Sequence, residues 1–154
     1  MRLLVIAFLV VAQTPDNLKP PLTEKLAFTA HATGDQIYTC DGANWTFTSP
    51  EAKLFDKTGR QIGSHFAGPT WESFDGSRVI GRAVANVTPD AHSIPWLLLA
   101  AANHEGSGVM SNVLSIQRLN TKGGKAPASG CDASHKGEKA SVHYTADYLF
   151  FTKN

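Results

Sequence analysis

The sequence predicts an all-β fold, an antiparallel β-barrel or β-sandwich of about nine short strands with little helix. Three observations carry this expectation. Apolar residues recur with period two along most of the chain, Gly-, Asn- and Asp-containing turn signals interrupt that pattern at close spacing, and almost no stretch shows helical periodicity. With 154 residues, 42% hydrophobic and 18% charged, the chain can fill a single core and does not have the composition of a disordered protein.

The elements follow in order. Met1-Arg2 leads an uncharged apolar run, Leu3–Ala12, and Val10-Val11-Ala12 fits small-residue cleavage rules. Residues 1–12 are therefore expected to be a signal peptide with Gln13 as the new terminus, residues 13–24 a linker, and residues 25–154 one β domain, giving a secreted or periplasmic protein. The alternative is a first buried strand, since the leader is shorter than the usual ~15–30 residues. Leu26–Thr33 alternates as a half-buried strand, and Gly34-Asp35 reads as a turn into a strand over Gln36–Cys40. Asp41–Asn44 turns the chain into Trp45–Thr48. Lys57–Arg60 separates strands at Ala52–Asp56 and Gln61–Phe66, and Asp75-Gly76-Ser77 separates Trp71–Phe74 from Arg78–Ala85. Ile94–Ala102 is a continuous apolar run with Pro95 near its start. Periodicity leaves strand or short helix open there, and proline at a strand start favours the strand. Met110–Leu119 and Ser141–Phe151 complete the strands, with a Gly-, Lys- and Pro-containing loop over Asn120–Gly130.

Two cysteines, Cys40 and Cys131, are expected to pair in an exported chain, the alternative being two buried thiols. Net charge is +1, with no basic stripe, which argues against nucleic acid as a partner. No apolar run reaches the roughly 18 residues of a membrane-spanning helix.

Several segments occur together in a fixed order: Gln36–Cys40, Trp45, Pro50-Glu51-Ala52, Leu54-Phe55-Asp56, Gly63–Trp71 and Asp75-Gly76-Ser77, then Ile94–Leu99, Ile116–Thr121, Gly123-Gly124, Ala126-Pro127, Cys131 and Tyr144–Tyr148. In these the chain resembles the domain-of-unknown-function family 3455 of exported bacterial and fungal proteins, from about residue 20 to its end. The resemblance implies no activity. Some fungal members carry a malate dehydrogenase label, which the residues here do not support: the Gly-x-Gly-x-x-Gly turn and crossover helices of a dinucleotide site are missing. No cofactor is expected.

Chemistry concentrates in Gly63–Ser77. His65 stands beside Gly63, which leaves room next to the imidazole, and Trp71, Glu72 and Asp75 follow across a Gly68-Pro69 turn. Two readings stand here: a polar pocket floored by Trp71, or a turn-capping His65 with Trp71 in the core. Arg118 ends an apolar run, so it either pairs with Asp75, Glu72 or Asp147 or reaches an anionic ligand. Asn120 and Thr121 adjoin it, and Tyr38, Tyr144 and Tyr148 are suited to a pocket rim.

The expected ligand-binding residues are His65, Trp71, Asp75, Arg118, Asn120 and Tyr144, and the expected partner is a small polar or aromatic molecule or a surface partner. One alternative is a small acid–base enzyme (a lyase, isomerase or hydrolase) using His65 with Glu72 or Asp75. Another is a cupin-like metal site built from His31, His65 and His143. No lipase-like Gly-x-Ser-x-Gly turn or zinc-binding His/Cys spacing is present.

Overall fold

The computed structural model describes residues 13–154, and the leader expected over residues 1–12 lies outside them. Antiparallel strands form one closed up-and-down barrel in which each strand pairs with its neighbours in sequence and the last closes on the first. The strands are β1 (Glu24–Cys40), β2 (Trp45–Phe55), β3 (Gln61–Phe66), β4 (Thr70–Ser73), β5 (Arg78–Val87), β6 (Trp96–Glu105), β7 (Ser115–Gly123) and β8 (Lys139–Lys153).

The all-β expectation thus takes the form of a barrel, with fewer and longer strands. Gly34-Asp35 is not a turn: Gly34 lies inside β1, between Ala52 on β2 and Tyr144 on β8. A Cβ at Gly34 would collide with the Glu51 carbonyl and Ala52, so glycine serves close backbone approach rather than reversal. Likewise β2 runs unbroken through Pro50, beside the register shift at Ile37/Tyr38 on β1. Ile94–Ala102 resolves as strand, beginning after Pro95. Met110–Leu119 divides instead. A turn tied by Val113 N–H to Met110 O, 3.3 Å, precedes β7, which starts only at Ser115. That strand then continues into the expected loop as far as Gly123, past a register shift at which Asn120 takes φ 51°.

Residues ahead of β1 are packed against the barrel. Asp16–Leu18 forms a 3₁₀ turn, Leu18 is fully buried, and Gln117 donates from Nε2 to the Leu18 carbonyl at 2.6 Å.

Strand alternation sends Ala30, Ala32, Leu54, Trp71, Val79, Leu99, Ile116, Tyr144, Ala146, Tyr148 and Phe150 inward. An eight-strand barrel is just wide enough for its side chains to fill it, or for one small ligand. Here one end is filled: Met110 and Val113 from the β6–β7 connection are buried in the core, and Phe28 stacks on Phe150 with ring centres 4.5 Å apart. The Cys40–Cys131 disulfide forms and joins the far end of β1 to the segment preceding β8. Among the described residues no helix is long and apolar enough to cross a membrane.

Candidate functional site

The other end of the barrel is open. It holds a cavity of about 460 Å³, within the range of ~300–1,000 Å³ usual for small-molecule sites. Three aromatic rings form its floor. On β3, Gly63 and His65 face inward, and the Gly68-Pro69 reversal places Trp71 of β4 directly opposite His65. The two rings stack with centroids 4.4 Å apart and planes 14° apart. Tyr148 of β8 meets both edge-on, at 5.1 Å and 5.4 Å. Gly81 on β5 makes room for the indole, since a Cβ there would lie 2.8 Å from Trp71 Cζ3. Leu97 and Leu99 of β6 and Gln36 and Tyr38 of β1 line the cavity as well, together with Phe47, Pro50, Pro69 and Pro95.

His65 is buried, and its Nδ1–H donates to the Thr70 carbonyl at 2.8 Å. That bond fixes the neutral tautomer with the proton on Nδ1. Burial lowers its pKa to about 3 against the pull of that bond, and the nearby Arg118 charge adds to the lowering. Tyr148 and Tyr144 move the other way, because burial disfavours phenolate. Trp71 Nε1 is buried and has no hydrogen-bond partner among the described residues.

Arg118 sits on β7 between Leu97 of β6 and Tyr148 of β8, and lines the cavity with them. Its Nε donates to the Pro95 carbonyl at 3.0 Å. The segment carrying that carbonyl is itself anchored, because Thr121 Oγ1 donates to Ile94 O at 2.6 Å.

The structure separates the expected site residues into two groups. His65, Trp71 and Arg118 converge on the cavity, and Tyr144 lies buried close by, its hydroxyl 3.4 Å from that of Tyr148. Asp75 does not join them. It caps the β4–β5 turn, accepting from Ser77 N–H at 2.9 Å and from Val109 N–H at 2.8 Å, which places it at the filled end of the barrel. The Ser77 hydroxyl also donates to it at 2.5 Å and, with those two N–H bonds, lowers its pKa to about 2, the hydroxyl contributing most. Asn120 is on the outer surface, where its Nδ2 donates to Asp147 Oδ2 at 2.9 Å.

Glu72 neighbours Trp71 but takes the opposite face of β4, where it pairs with Arg78. The acid–base pairing of His65 with Glu72 or Asp75 is therefore not formed. Neither is the pairing of Arg118 with a carboxylate: Glu72 is engaged by Arg78, Asp75 by its turn, and Asp147 by His31 at 2.8 Å and by Asn120. The three histidines of the metal reading also diverge. His65 faces inward, whereas His31 pairs with Asp147 and His143 lies 3.5 Å from Asp35 on the outer face. No cluster of three or more His, Cys, Asp or Glu among the described residues is placed to hold a metal.

Sequence reasoning missed Gln36, Phe47, Pro50 and Leu97 as cavity residues, and left Tyr38 and Tyr148 as rim candidates only. The signal was present in β1, where Gln36 and Tyr38 continue the inward face of Ala30 and Ala32 once Gly34 is read as strand. A glutamine on a core-facing position points to a polar cavity.

A family model described as protein of unknown function (DUF3455) matches residues 21–152. No curated protein and no solved structure matches the chain.

Proposed function

The chain belongs to that family of unknown function, and from its geometry we propose that it is an exported binding protein that holds one small, largely aromatic molecule in the open end of its barrel. The observation that carries this reading is the stacked His65–Trp71 pair with Tyr148 edge-on to both, forming the floor of a 460 Å³ cavity. Protein interiors are normally packed to leave few voids larger than a water molecule. A concavity of this size with aromatic walls and a few polar groups suits a small ligand. Contact with aromatic walls supplies affinity without charge, and Gln36 and Thr48 line the cavity with polar groups that can orient the bound molecule.

Binding is favoured over acid–base catalysis by His65 itself. A group that stays neutral down to about pH 3, with no carboxylate in reach, is a poor proton carrier near neutrality. Export is supported by the leader pattern in the sequence together with the disulfide.

A fluorescence titration with a neutral naphthylamine dye tests the reading. We expect saturable one-to-one binding that quenches tryptophan emission and is lost in Leu97→Trp, which fills the cavity. Absence of binding, or binding unchanged in that variant, would remove the cavity as the site. Native mass spectrometry of protein purified from its own host would then identify any retained molecule.

A further inference from the structure

We infer that the molecule held in this cavity carries a single carboxylate, received by the Arg118 guanidinium. The inference rests on the cavity reading above and adds the charge of the ligand. Among the described residues Arg118 is the only cationic side chain that lines the cavity, and no Asp or Glu lines it. Every carboxylate that the sequence offered as its partner is engaged elsewhere. Arg118 is half-buried beside aromatic rings, where part of its hydration is lost and an incoming anion is attracted more strongly than in bulk water. On β7 Arg118 stands between Leu97 and Tyr148 and shares the cavity lining with Tyr38, His65 and Trp71.

The geometry also selects the kind of anion. Nε is already committed to the Pro95 carbonyl and the guanidinium also meets the Tyr148 hydroxyl, which fixes its plane and leaves its remaining terminal N–H groups for the ligand. Those donors match the two oxygens of a planar carboxylate. One cation balances one negative charge, whereas a phosphate dianion would call for a second basic group that the lining does not contain. His65, with its proton held on Nδ1 by Thr70, adds no positive charge. The ligand is thus an aromatic carboxylate, with its ring over the His65–Trp71–Tyr148 floor and its carboxylate on Arg118.

The test compares 2-naphthoate, 2-naphthamide and 2-naphthyl phosphate by displacement of the neutral dye, in wild type and in Arg118→Met. The expected result is naphthoate binding tighter than naphthamide by roughly tenfold or more, as for a charge-assisted hydrogen-bonded pair. Arg118→Met should abolish that preference, naphthoate falling to or below naphthamide, with the variant's fold checked independently by far-UV circular dichroism and urea unfolding. Arg118→Lys, which keeps the charge and loses the fork, should fall between the two. Equal binding of naphthoate and naphthamide by wild type overturns the inference and leaves the cavity reading intact. So does a preference for naphthoate that persists without Arg118, and so does phosphate binding tighter than carboxylate. Failure of the neutral dye itself to bind overturns the cavity reading, and this inference with it.

Discussion

Burying His65 neutral makes stability depend on pH in a way that one substitution isolates. In the unfolded chain the imidazole gains a proton as pH falls through its ordinary 6.5, whereas in the barrel it stays neutral down to about 3. Between those values the unfolded state binds more protons than the native state. The contribution is therefore fully present above 6.5 and is lost as pH falls toward 3. One proton gives a slope approaching ~1.4 kcal/mol per pH unit. Acidification from about pH 7.5 to about pH 4.5 then removes roughly 3 kcal/mol through this residue alone.

His65→Asn keeps an N–H for the Thr70 carbonyl and removes the titration. Urea unfolding of both proteins at the two pH values should show wild type losing roughly 3 kcal/mol more than the variant. His135, whose pKa is raised by Asp132, acts in the opposite direction, but it is present in both proteins and cancels in the difference. Asp75 and Asp132 stay ionised to about 2, below the window. Equal losses in the two proteins would refute the reasoning. So would a His65 ring resonance that titrates near 6.5 in folded wild type, a measurement that does not depend on the variant folding.

Other substitutions probe separate parts of the structure. Replacing both Cys40 and Cys131 by alanine opens a cross-link between positions 91 apart, and thermal melting should show a loss of up to about 4–5 kcal/mol, the chain-entropy ceiling for such a loop; an unchanged melt would mean the bridge does not constrain the unfolded chain. Gly34→Ala drives a methyl group into the Glu51 carbonyl and Ala52, so the β1–β2 ladder must shift, and a cooperative far-UV melt at the wild-type temperature would contradict that. Leu18→Ala should cost about 2–5 kcal/mol in urea unfolding, as for a filled core position, and a negligible change would place residues 13–23 outside the folded unit. Glu72→Gln breaks a partly exposed pair with Arg78; stability should move by no more than about 1 kcal/mol and dye affinity should not change, whereas a large loss of affinity would return Glu72 to the site.

What was legible in the sequence follows from what each signal reports. Period-two alternation names faces, so Ala30, Trp71 and Tyr148 were readable as strand residues, and the run after Pro95 resolved as β6. Glycine gives two signals that look alike. At Asp75-Gly76 it marks a true reversal, with Gly76 at φ 89°, but at Gly34 it marks two backbones in contact, which depends on a strand paired only in the folded barrel. Carboxylates near a histidine in sequence misled for the same reason. Glu72 adjoins Trp71, yet alternation sends it to the opposite face of β4. Arg118 was legible as a residue awaiting a partner; that none of the three carboxylates is that partner depends on three separate tertiary contacts.

The closing ladder between β1 and β8 joins residues 24–39 to residues 139–153. A chain emerging in order can form the hairpins from β1 through β7 as they appear, but it cannot seal the cylinder until residues 139–153 are available. Until then β1 keeps an unpaired edge, the kind of surface on which other chains add strands. Pairing so distant in sequence also slows the final step. Cys40 lies at the end of that seam, at the open end of the barrel, and its bond to Cys131 ties the closing ladder covalently where the cylinder is not filled.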